Sequence, residues 1–277
     1  MDRVHGGEVA LATRVWPGRE PTIVGIHGLT ANHTCWYPVA EALAPQHRFI
    51  AYDLRGRGGS DKPERDYNIA AHNRDVLGVL DHFEVERAVV MGHSLGAHIA
   101  VRFAARHPDR VAKLVLFDGG LDVRPEVLDS IGPSIARLGV EFPSLDAFVG
   151  LMKGLPFFAG RWNDHLTRYF AYDVEPAPGG GVRSKVAKHA IEEEVRALHR
   201  TRLWVWHHQI RVPTLLLRAP DGLLRDDDCL MTQEEAEAMA HAIPDCRLVV
   251  ISNTNHYTIL LGDNAVALDA IRAHLKN

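Results

Sequence analysis

Six short apolar runs recur along the chain, and their unbroken character constrains the fold more than any other feature. They occupy residues 22–26, 48–52, 88–91, 114–117, 214–217 and 248–251. A strand with one wet face alternates apolar and polar side chains, whereas a strand covered on both faces reads as a continuous apolar stretch. Helical patterns fill the gaps at about 35–44, 69–83, 95–107, 231–242 and 263–275. The third of these stops before Pro108, whose missing N–H and ring oppose continuation. Buried strands alternating with helices predict an α/β fold built on a mostly parallel, doubly wound β-sheet. Residues 2–16 alternate more and carry Gly6-Gly7, which fits an antiparallel hairpin at one edge.

The rhythm breaks between Gly119 and about His208. This stretch has helical patterns but no evident strand, and it is interrupted by Pro125, Pro133, Pro143, Pro156 and the loop Pro176-Ala177-Pro178-Gly179-Gly180-Gly181. It lies between two core strands, so residues 119–208 are expected to form a helical lid inserted over the C-terminal edge of the sheet. Residues 1–118 and 209–277 would then form the core. Phe157, Phe158, Trp162, Trp204 and Trp206 are expected to pack inside the lid. A chain of 277 residues allows between one and two domains, and an insertion within one fold satisfies that range.

Composition excludes several classes. The net charge of −4 argues against a nucleic-acid or anionic-membrane surface. No apolar run approaches the ~18–20 residues that span a bilayer, and the N-terminus has no secretory apolar segment. Cys35, Cys229 and Cys246 are odd in number and far apart, which fits a reducing compartment and predicts a soluble cytoplasmic protein. The glycine-rich stretch from Arg55 to Ser60 lacks the Gly-Lys-Ser/Thr of a phosphate-binding loop and reads as a tight turn, with Arg55 or Arg57 fixing neighbouring loops. No histidine or carboxylate spacing implies a catalytic metal, and no cofactor is expected.

The chemistry concentrates at Gly92-His93-Ser94-Leu95-Gly96, directly after one apolar run and directly before a helical pattern. A serine on a sharp strand-to-helix turn needs small residues two before and two after it. There the helix N-terminus presents N–H groups to a developing oxyanion. A hydroxyl is a poor nucleophile without a base. Among the 17 histidines, His256 is best placed, in a loop after the last strand and before the terminal helix. His93 is expected to turn away from the nucleophile, and His27 to organise its loop.

His27-Gly28, the stretch Asp53-Leu54-Arg55-Gly56-Arg57-Gly58-Gly59-Ser60-Asp61, the Gly92 to Gly96 elbow and His256 together resemble the α/β-hydrolase superfamily over the whole chain. The resemblance implies oxyanion-hole N–H groups from Leu29 and Leu95. It leaves two candidates for the acid. Most members carry it in a Gly-x-x-Asp loop after the strand that follows the lid. Asp221 sits there, but the glycine is missing and the aspartate comes one residue early. A minority place it directly after the strand preceding the lid, where Asp118 stands, and Asp118 is preferred. Asp226, Asp227 and Asp228 read as a solvated charge run. The expected activity is that of a serine hydrolase cleaving a small-molecule carboxylic ester through an acyl-enzyme. C–C bond, lactone and small-amide hydrolysis are alternatives on the same residues, and a ligand-binding, receptor-like module is an alternative of another class.

Overall fold

The computed structural model describes residues 2–124, 132–225, 228–262 and 264–276. Pro125, Asp226 and Asp227 lie outside them. The strands are β1 (Asp2–Gly6), β2 (Val9–Trp16), β3 (Ile23–Ile26), β4 (Phe49–Tyr52), β5 (Ala88–His93), β6 (Val111–Phe117), β7 (Glu141–Phe142), β8 (Val174–Pro176), β9 (Val182–Ser184), β10 (Thr214–Arg218) and β11 (Cys246–Val250). The helices are α1 (Tyr37–Leu43), α2 (Ile69–His82), α3 (Leu95–Arg106), α4 (Gly132–Ala136), α5 (Leu145–Lys153), α6 (Asp164–Asp173), α7 (Lys188–Leu198), α8 (Trp204–His207), α9 (Gln233–Ala242), α10 (Thr258–Leu261) and α11 (Ala265–Lys276).

One eight-stranded sheet runs β1-β2-β4-β3-β5-β6-β10-β11. The β1–β2 hairpin forms an edge and joins β4 antiparallel, and every pairing from β4 through β11 is parallel. This is the doubly wound sheet expected from the apolar runs. Its strands explain those runs residue by residue. Val90, Leu114, Leu116 and Leu216 enter the core on one face, while Val89, Met91, Val115, Phe117, Leu215 and Leu217 enter a second core on the other. Successive side chains of a strand point to opposite faces, so two dry faces demand apolar residues at every position. Caps set the helix starts: Asn68 accepts from the Ala71 N–H at α2, and Thr232 and Glu235 form a reciprocal capping box at α9.

Between β6 and β10 the chain departs from the βα rhythm, and one sequence expectation needs correction there. The segment contains strands: β7, β9 and β8 form a three-stranded antiparallel sheet, and the glycine-rich loop is the turn joining β8 to β9. Strands of two or three residues are too short to show a period, and the prolines around them mask the pairing. The segment touches loops at the C-terminal ends of the core strands. Asn32 Nδ2 donates to the Tyr169 carbonyl at 3.4 Å, Tyr172 Oη to Asp53 Oδ2 at 2.7 Å, and Asn255 Nδ2 to the Phe157 carbonyl at 2.7 Å. Phe157, Phe158 and Trp162 pack with Phe170 and Tyr257. Trp204 departs from expectation. It is 63% exposed. Trp206 instead lies against the guanidinium groups of Arg102 and Arg106 on α3.

Candidate active site

Ser94 stands between β5 and α3 with φ 56° and ψ −120°, a strained backbone state for a side-chain-bearing residue. The flanking glycines make the turn possible. A Cβ on Gly92 would come within 2.3 Å of the Gly96 carbonyl oxygen, and one on Gly96 within 1.9 Å of the Ile26 carbonyl oxygen. The Ser94 hydroxyl makes no capping bond to α3 and lines a cavity of about 40 Å³ together with His256, Leu29 and Tyr169.

His256 follows β11 and is 5% exposed. Its Nδ1 lies 2.8 Å from Asp118 Oδ2. A carboxylate only accepts, so the ring proton sits on Nδ1 and the Nε2 lone pair is left for the cavity. Asp118 directly follows β6, with φ 45°. It is buried and also accepts from the Ala219 N–H at 3.1 Å. Asp221 is placed elsewhere: its carboxylate meets Arg161 Nη2 at 2.7 Å, and its backbone forms an isolated bridge with Asn255. Asp228, read as part of a solvated run, instead accepts from the Leu223 N–H at 2.6 Å and the Leu224 N–H at 3.0 Å, closing a turn.

Leu29 and Leu95 are both buried. Neither of their N–H groups donates to a described residue. Buried backbone donors are nearly always paired, so two without a partner, one in the loop after β3 and one at the start of α3, are exceptional. The loop carrying Leu29 is held on both sides. His27 Nε2 accepts from the Leu54 N–H at 2.9 Å, which forces the proton onto Nδ1, and Nδ1 donates to the Gly28 carbonyl at 2.8 Å. Burial pushes the His27 pKa down to about 3, so this neutral tautomer persists at neutral pH. The Ala31 N–H also donates to the Gly28 carbonyl. Arg57 Nε donates to the Leu29 carbonyl at 2.9 Å.

His93 does not simply turn away. Its Nε2 donates to the His256 carbonyl at 2.8 Å, and the two rings are 4.6 Å apart. Burial, reinforced by the neighbouring His256, holds His93 well below the ordinary imidazole range, so it stays neutral with its one proton on Nε2. Its place beside the serine was visible in the sequence, but its partner, 163 residues away, was not. A polar patch on the cavity wall was also missed: the hydroxyls of Ser134 and Tyr257 are hydrogen-bonded to each other, and Arg137 beneath them pairs with Asp173 at 3.2 Å. Among the described residues, no three histidine, cysteine or carboxylate side chains gather as metal ligands would.

Comparison with known proteins agrees with this architecture. A family profile described as the alpha/beta hydrolase fold matches residues 21–139. The 2-(acetamidomethylene)succinate hydrolase of Mesorhizobium japonicum is 28% identical over 92% of this chain and 88% of its own length. RutD of Rhizobium rhizogenes, whose carbamate hydrolase assignment is itself provisional, is 31% identical over 73% of this chain and 75% of its own. The crystal structure of E-2-(acetamidomethylene)succinate hydrolase superposes with a TM-score of 0.89 at 26% identity, covering 100% of this chain and 98% of that one.

Proposed function

Since the chain belongs to the α/β-hydrolase superfamily, we propose that it is a serine hydrolase that cleaves small acyl compounds, carboxylic esters first, through an acyl-enzyme on Ser94. The observation that carries this reading is the Asp118–His256 hydrogen bond beside a strained serine and two free N–H groups. Rotation of the hydroxyl toward His256 Nε2 lets that nitrogen take the proton as Oγ attacks the carbonyl carbon. Asp118 holds the tautomer and stabilises the imidazolium that forms. The carbonyl oxygen, now negative, accepts from the Leu29 and Leu95 N–H groups. Each such donor is typically worth ~3–4 kcal/mol of barrier. His256 then gives its proton to the leaving group as the tetrahedral adduct collapses. Water attacks the acyl-enzyme by the same route in reverse, restoring the serine. Residues 119–208 are read as a cap inserted into a core of residues 1–118 and 209–277, and Leu29 and Leu95 as the oxyanion hole.

The cavity is narrow, about 40 Å³, and Leu29, Tyr169, Leu260 and Leu261 form part of its wall, so a short acyl group is favoured. Two relatives favour a second reading, C–N cleavage. They are named for hydrolysis of an acetamido compound and, provisionally, of carbamate, and the same residues would serve an amide bearing a small acyl group. The test is a series of p-nitrophenyl esters from acetate to octanoate, run beside an N-acetyl anilide. A burst with acetate, a steep decline with chain length, and fluorophosphonate labelling lost in Ser94→Ala are expected. Absence of labelling in the wild-type protein overturns the proposal.

A further inference from the structure

Arg57 and Glu194 form a buried ion pair that the proposed reaction does not itself use. The two side chains are wholly buried, and Nη2 lies 2.7 Å from Glu194 Oε2. Arg57 spends its other donors on backbone: Nε on the Leu29 carbonyl at 2.9 Å and Nη1 on the Arg55 carbonyl at 2.8 Å. Carbonyls solvate a guanidinium but do not neutralise it. Glu194 supplies the one counter-charge in salt-bridge contact with Arg57 among the described residues. The carboxylate is held in turn by His72, whose Nε2 lies 2.9 and 3.0 Å from its two oxygens. Arg57 and His72 together hold its pKa down to about 2 against the cost of burial.

We infer that Glu194, carried on α7 of the inserted segment, is a positioning residue for the oxyanion site and acts through Arg57 on the Leu29 peptide. The chain of contacts is short. Glu194 fixes Arg57, and Arg57 fixes the carbonyl of Leu29. His27 and the Ala31 N–H fix the carbonyl of Gly28, which belongs to the same peptide as the Leu29 N–H. The peptides on both sides of Leu29 are therefore pinned, and one of the pins originates in the insertion. A second contact ties the same helix to the same turn: the Ala187 N–H, just ahead of α7, donates to the Gly56 carbonyl at 2.9 Å. An unpaired buried guanidinium is costly enough to move until it finds water or another anion, and the Leu29 carbonyl loses its donor when it does.

This inference rests on the proposed function, and the experiment separates the two. A peptidyl-type trifluoromethyl ketone with a small acyl portion adds Ser94 Oγ to its carbonyl carbon, passes the serine proton to His256 and leaves an oxyanion facing Leu29. The matching methyl ketone binds without forming an appreciable adduct. In Glu194→Ala, kcat and trifluoromethyl ketone affinity should fall together by about 10-fold, a fraction of the loss when a donor is removed outright. KM and methyl ketone affinity should stay within about 2-fold. Glu194→Gln keeps an acceptor for Arg57 and should recover part of the loss; it also carries the test if the alanine variant does not fold. Wild-type potency of the trifluoromethyl ketone in both variants, or equal weakening of both ketones, overturns the inference. A wild-type protein that is neither inhibited by this ketone nor labelled by a fluorophosphonate overturns the proposed function instead.

Discussion

Replacing Asp118 by asparagine probes the proposed mechanism with little disturbance of shape. Asparagine is among the few residues that tolerate positive φ, and Asp118 sits at 45°, so the backbone can remain in place. The neighbours then dictate the orientation of the new amide. The buried Ala219 N–H must meet the amide oxygen, as it now meets Oδ1. The amide nitrogen is thereby directed at His256 Nδ1, 2.8 Å away in the present structure. Two N–H groups cannot face each other, so the imidazole proton moves to Nε2 and the ring can no longer accept from Ser94. Flipping the amide restores the His256 bond but opposes the Ala219 N–H, at a cost of about 1–3 kcal/mol for an unpaired buried donor. The first arrangement prevails, and kcat should fall about 10⁴-fold, or ~5 kcal/mol of barrier. Asp221→Asn removes only a half-exposed pair with Arg161, worth at most ~1 kcal/mol of stability, and should leave kcat within about 3-fold. Both variants are compared by kcat on p-nitrophenyl acetate, with thermal melting as the control for folding. Near wild-type turnover in Asp118→Asn, with a large loss in Asp221→Asn, would refute the reasoning.

Stability should fall as pH is lowered. Burial depresses His27 to about 3, His98 to about 4 and His93 well below its ordinary range. Each takes up a proton near pH 6.5 only when unfolded, so stability is intact above that pH and declines below it until the folded pKa is reached. At pH 5 the loss is on the order of 2 kcal/mol each for His27 and His98. Asp53 and Glu194, held down to about 2, lose their contribution only as pH falls through and below the ordinary carboxylate range, so urea unfolding at pH 7 and pH 5 reports mainly on the histidines. Equal unfolding free energies at the two values would contradict this. Gly96→Ala should destabilise by more than ~3 kcal/mol, because its methyl group would press into the backbone of β3, and soluble expression with an unchanged melting temperature would count against the tight elbow.

What was legible in the sequence followed from local chemistry. The core strands announced themselves because two dry faces leave no polar position, and the elbow because Gly92 and Gly96 bracket Ser94 at a strand end. The three short strands between β6 and β10 carried no such pattern. Preference for Asp118 rested on the departure of the Asp221 loop from its Gly-x-x-Asp pattern, yet the contact that sets the two apart spans 138 residues. Glu194 was silent for another reason. In Glu192-Glu193-Glu194 on an amphipathic helix, any one carboxylate reads as solvated, and only tertiary packing buries this one against Arg57, 137 residues away. Long-range polar pairing is decided by which loops meet, and no local window encodes that.

The sheet order has a consequence for chain length. Ser94 and Asp118 leave adjacent strands, β5 and β6, whereas His256 leaves β11, two positions beyond β6. At roughly 4.8 Å per strand, the loop after β11 must reach back about 10 Å across the end of β10. The Asp221–Asn255 bridge and the Ala219 N–H on Asp118 are the stepping stones of that crossing. Losing one residue there shortens the span by ~3.5 Å, more than any hydrogen bond can stretch. Most exposed connections tolerate insertions and deletions; residues 252–255 form a measured tether whose length is as constrained as any side chain in the cavity.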